Sequence, residues 1–158
     1  MAQDFWNTAE RMNPTVKEIW LRALRSGDYT QGRGALAYQR KSDGQWCHCP
    51  IGVLTEEAIK AGVIIEKKDF SVPRDTGGYA EYSIQEDALF VRGFDWLTTC
   101  MGDKVAKWAG LPSSNSDIFL FSASPQSHAE GQDSTIIRAN DIQKLSFAEI
   151  ADLIDFIL

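Results

Sequence analysis

Cysteine is scarce in this chain: Cys47, Cys49 and Cys100 are the only three in 158 residues. An odd, small number without regular spacing argues against a disulfide-stapled secreted domain. Histidine occurs only at His48 and His128. Basic residues are outnumbered, 16 Lys and Arg against 22 Asp and Glu, for a formal charge of −6. Such a surface repels phosphate backbones, so non-specific nucleic-acid binding is disfavoured. A local basic patch can still hold one small anion, and net acidity suits docking on a basic partner. No apolar run approaches the roughly 18 residues that a membrane span needs. The first twelve residues carry Asp4, Glu10 and Arg11 and no apolar stretch, so no secretory signal is read there. These absences together point to a cytoplasmic protein that neither crosses nor binds a membrane.

What the chain does contain is the material of an ordinary core. Hydrophobic residues make up 44% and charged residues 24%, and eight Phe, five Trp and four Tyr supply bulk. The length fits one domain. We expect an α+β fold, with about four helices packed on a small, mainly antiparallel sheet over residues 13–158 and residues 1–12 as an appendage.

The helices have readable ends. Asn13-Pro14 is an N-cap type followed by proline at the first helical position, and Val16, Ile19, Trp20 and Ala23 follow at helical spacing. A second helix opens at Cys49-Pro50 and closes at Gly62-Val63, a glycine cap backed by an apolar residue. A third, short one covers about 103–109 before Gly110-Leu111-Pro112. The fourth opens on Ser146-Phe147-Ala148-Glu149, a capping box, and carries Phe147, Ile150, Ala151, Ile154, Ile157 and Leu158 as one apolar stripe. Strands are expected at 36–41 and 45–48, joined through Asp43-Gly44, and at 63–66, 79–84, 89–92, 118–121 and 135–138. Residues 71–78 and 112–116 are turn-rich, and 122–134 reads as a long exposed loop.

Several of these segments resemble a known family. They are the run from Asn13 through Gly27, Gln31-Gly32-Arg33-Gly34 behind Tyr29, the run Cys49-Pro50-Ile51-Gly52-Val53-Leu54, Val105 through Leu111, and Asn140-Asp141 with Ser146 through Ile154. The family consists of short proteins encoded by bacteriophages and prophages and has no assigned activity. The resemblance implies a phage genome as the setting, not a mechanism. Members usually carry a double cysteine where this chain has Cys49-Pro50, and a further cysteine in place of Thr55. A site that needs all three thiols is therefore not intact here.

Five constellations bear on chemistry. In Gln31-Gly32-Arg33-Gly34, glycines allow close backbone approach, exposed N–H groups can cradle an anion, and Arg33 offers a bidentate partner for phosphate or carboxylate. Arg40 and Lys41 add positive charge nearby. The alternative is a flexible helix-to-strand connection, since GxG carries little information. Cys47, His48 and Cys49 with Cys100 and His128 lack the ligand spacing of a structural zinc site, so no metal is expected. Cys49 at a helix N-terminus is a candidate nucleophile, with His128 as base and Gln31 and Asn140 as oxyanion donor and orienter. Chain order alone suggests this set, and packing of the thiol is the plainer reading. Asn140-Asp141 fails the calcium-loop spacing and reads as a turn before the last helix or as a polar contact to a ligand. Finally, Phe90, Phe94 and Trp96 around Gly93 and Asp95 form either an exposed aromatic patch or part of the core.

These features lead to three functional expectations, none with a cofactor. The first is a non-enzymatic accessory protein that binds a host or defence-system protein. The second is a pocket for a small nucleotide or phosphorylated signal, built from Gln31, Gly32, Arg33, Gly34, Asn140 and Asp141. The third is a cysteine-dependent hydrolase or transferase.

Overall fold

The computed structural model describes residues 12–72, 88–98, 101–111 and 136–157. In chain order they form helix α1 (Pro14–Arg25), strands β1 (Thr30–Gln31), β2 (Ala37–Arg40) and β3 (Trp46–His48), helix α2 (Pro50–Lys60), strands β4 (Lys67–Ser71) and β5 (Ala88–Phe94), and helices α3 (Asp103–Ala109), α4 (Ile136–Asp141) and α5 (Phe147–Ile157). The fold is α+β, as expected. Its five-stranded sheet has the order β1-β3-β2-β5-β4. Only β1 and β3 run parallel; the other pairs are antiparallel.

The helix ends are built from local hydrogen bonds. Asn13 Oδ1 accepts the N–H groups of Thr15 and Val16 at 2.9 and 3.4 Å. In α5, Ser146 Oγ accepts the Glu149 N–H, and Glu149 Oε1 accepts the Ser146 N–H in return. This satisfies two donors that a helix start otherwise leaves open. The α2 cap closes through Gly62 N–H to Ile59 O and Val63 N–H to Ala58 O. The turn between β2 and β3 closes around Gly44, whose N–H donates to Arg40 O.

The buried faces of α1, α2, α3, α4 and α5 meet in one core containing Trp20, Leu24, Ile51, Leu54, Val105, Ile136, Ile150 and Ile154. Trp20 is fully buried, and its indole Nε1 donates to Pro50 O at 2.9 Å, which joins α1 to the start of α2. Met12 is also buried in this core, so packing begins at least one residue before the expected boundary. Residues 1–11 lie outside the described residues.

Two expected strands are not strands. Residues 63–66 are irregular, because the Val63 N–H caps α2, and sheet pairing starts at Lys67 opposite Phe94. Residues 136–138 belong to α4. Ile136, Ala139 and Asn140 are buried at helical spacing, so tertiary docking overrides the strand preference of a β-branched run. Asn140 and Asp141 thus end a helix and are not in a turn. The expected strands at 79–84 and 118–121 and the loop at 122–134 fall outside the described residues.

Candidate functional site

The expected ligand-binding residues come from segments about a hundred positions apart, and they converge. β1 and the turn after it lie against the C-terminal end of α4. Gln31 Nε2 donates to Asn140 Oδ1 and to Leu145 O, each at 2.7 Å. Asn140 Nδ2 donates to Gly32 O and to Asp141 Oδ1, each at 2.8 Å. Arg33 Nε donates to Asn140 O at 2.9 Å, and the Gly34 N–H donates to Asp141 Oδ2 at 3.2 Å. Asn140 is 0% exposed, and its amide is satisfied on both sides, as burial of such a group demands.

This geometry changes what the glycine turn can offer. The Gly34 N–H meets a carboxylate of the chain itself. An anion entering there meets the Asp141 charge, and Arg33 already has its Nε engaged on a backbone carbonyl. Arg40 adds no charge to the turn: it sits on β2 and pairs with Asp43. The convergence therefore serves first to lock β1 to α4.

Cys49 caps α2 from within. Its Sγ accepts the Gly52 N–H at 3.4 Å, and its own N–H donates to Leu36 O at 3.1 Å. Burial pushes the thiol up to about 12, and the nearby Asp141 carboxylate adds to the shift. That is the opposite of an activated thiolate. Of the other catalytic candidates, Gln31 and Asn140 are mutually bonded, while His128, like Cys100, lies outside the described residues. No group of three His, Cys, Asp or Glu among the described residues can hold a metal ion.

A second polar cluster had no counterpart in the expectations. Glu56 of α2 is buried beneath the sheet and accepts from His48 of β3 at 3.1 Å, Arg92 of β5 at 2.9 Å and Lys67 of β4 at 3.4 Å. Burial pushes this carboxyl up, but the contacts to His48, Lys67 and Arg92 outweigh it and hold the group down at about 2. Arg92 also pairs with Asp69, and its guanidinium stacks 3.8 Å from the Trp46 ring centre. A single carboxylate in a short polar stretch of α2 carries no signal in sequence; only the sheet brings its cations together.

The aromatic cluster divides. Phe94 is in the core, whereas Trp96 is 64% exposed. Asp95 and Trp96 are the two central residues of a tight turn at the end of β5, with φ of 50° and 70°. Phe94 and Leu97 close it through reciprocal backbone bonds of 2.8 and 3.0 Å. Such a turn favours Asn-Gly, because both central residues are left-handed. Asp95 is held by accepting the Glu66 N–H at 2.8 Å; Trp96 is the residue under strain, of about 1–2 kcal/mol. Its ring lies 6.1 Å from that of Phe70 on β4. Phe70 in turn lies over Gly93, where a Cβ would come within 2.8 Å of the ring. The Lys68 Nζ sits 5.5 and 5.2 Å from the Phe70 and Trp96 ring centres.

An open groove of about 460 Å³ lies elsewhere, between the C-terminal ends of α1 and α2, lined by Ile19, Arg22, Tyr29, Glu57 and Lys60 among others. Arg33 and Asn140 are not part of it. No helix of the described residues is long and apolar enough to cross a membrane.

Fold and site together define a single α+β domain whose most converged polar residues hold its own elements in register. The chain belongs to the family described as a domain of unknown function, DUF8296, whose model matches residues 12–158. No curated protein and no solved structure matches it.

Proposed function

We propose that this chain is a non-enzymatic binding protein: a phage-type accessory protein that engages a protein of the host or of its anti-phage defence. The observation that carries the reading is Trp96, a large apolar side chain 64% exposed at a left-handed turn position suited to glycine. A sequence under selection for stability alone has little reason to keep it there. Exposed tryptophans are the residues most often found as binding anchors. The resemblance to phage proteins supplies the setting.

The two alternatives gain less support. A small phosphorylated ligand at Arg33 would have to displace or tolerate Asp141, which already fills the Gly34 amide. Thiol chemistry at Cys49 meets a buried residue whose thiol is protonated at neutral pH.

The test is Trp96→Gly. We expect the variant to unfold at a denaturant concentration no lower than the wild type, by gaining up to about 1 kcal/mol from relief of strain, and to lose a protein captured by the wild type from host lysate after crosslinking. Identical capture profiles for the two proteins would refute the proposal.

A further inference from the structure

We infer that the surface around Trp96 takes a protein segment in which a carboxylate side chain adjoins an apolar one; the inference rests on the binding reading above. The argument begins with the charges of the patch. Lys67 is paired with Glu56, Arg92 with Asp69 and Glu56, and Lys104 with Asp95. Lys68 is the cation of this surface with no carboxylate partner among the described residues. Its ammonium is placed near both the Phe70 and the Trp96 rings, so an exposed and otherwise mobile charge is held at one end of an aromatic surface.

The apolar half of the surface is also in place. Asp95 N–H donates to Glu66 O, and Glu66 N–H to Asp95 Oδ1, so the chain before β4 runs beside the Trp96 turn. Ile64 and Leu97, on these two segments, are exposed like Trp96. A ligand that suits this arrangement brings an apolar side chain to the rings and a negative charge to Lys68. A nucleic-acid strand brings charge at every phosphate. It would meet one unpaired lysine on a protein of net charge −6, too little to offset the general repulsion. A single carboxylate needs one cation, and at physiological salt it senses mainly charges within about 8 Å.

Nitrogen-15 NMR of the intact chain reads the site directly through the Trp96 indole N–H, assigned by its disappearance in Trp96→Phe. The probes are the acetylated, amidated tripeptides Asp-Phe-Asp and Lys-Phe-Lys, and thymidine monophosphate. We expect Asp-Phe-Asp to shift this resonance saturably, binding about tenfold tighter than Lys-Phe-Lys. Lys68→Gln should abolish the difference. Equal or tighter binding of Lys-Phe-Lys, a preference that survives Lys68→Gln, or a response to the nucleotide alone would overturn the inference. Silence of the resonance towards all three probes would overturn it too. The parent reading would then stand if Trp96→Gly still lost its captured protein, and would fall with the inference if it did not.

Discussion

At Gly52 a single hydrogen atom decides whether α2 can approach the β2 segment. A Cβ built there would lie 1.8 Å from Leu36 O, inside any contact distance. The same Leu36 carbonyl accepts the Cys49 N–H, so helix start and strand start are joined at one point, and no side chain can simply rotate away. Gly52→Ala should therefore cost more than about 3 kcal/mol, at the severe end of overpacking. Urea denaturation followed by circular dichroism checks this; a loss under 1 kcal/mol would mean that the helix can shift at little cost. The glycine is visible in the sequence, but not the atom it avoids. Cys49 is the converse case. Its position at the helix start was legible, yet the reactivity suggested by that position is cancelled by burial, which only the packed structure supplies.

The elements are held to one another by polar groups as well as by the apolar core. Glu56 lets α2 reach three strands at once, and its carboxyl is held at about 2 against an ordinary 4.5. A carboxyl depressed by folding contributes stability that is fully present above 4.5 and is lost as pH falls towards 2. Glu56→Gln should lower stability at neutral pH by about 3 kcal/mol, since it leaves Arg92 and Lys67 without that charge. The gap between variant and wild type should then close as the pH approaches 2. Denaturation midpoints across that range test the sign: a gap that widens on acidification would show that the carboxylate is not what holds the cluster. The capping box of α5 and the cap of α1 were legible because each depends on residues two or three positions apart. Strand assignment at 63–66 and 135–138 failed for a related reason. Apolar and β-branched runs of four residues fit helix or strand alike, and only pairing partners decide between them.

Across the whole molecule, Asn140 is the residue on which distant parts of the chain agree. It accepts from Gln31, 109 positions earlier, and donates to Gly32 O, while its backbone carbonyl accepts from Arg33. Asn140→Ala should destabilise the domain by about 2–3 kcal/mol, because the Gly32 carbonyl loses the Asn140 donor and the Gln31 amide keeps only the Leu145 carbonyl. Thermal denaturation measures the loss. At temperatures where the variant remains folded, it should still capture the partner that Trp96→Gly loses. Loss of capture in folded Asn140→Ala would move the binding surface from Trp96 to the β1–α4 junction.

By itself the sequence determined the class of fold, most helix limits and the Asp-Gly hairpin, and it singled out the residues around Arg33 and Asn140 as candidates. These follow from local rules of capping, turn conformation and periodicity, which act over a few residues and need no partner. Tertiary structure alone decided what those residues do. It turned an apparent anion cradle into an internal lock by placing Asp141 on the Gly34 amide, and it buried the thiol of Cys49. It also sent Phe94 inward while leaving Trp96 outside on Phe70. Each outcome depends on contacts between segments far apart in the chain, whose register is set by sheet pairing and core packing, and no local pattern encodes that register.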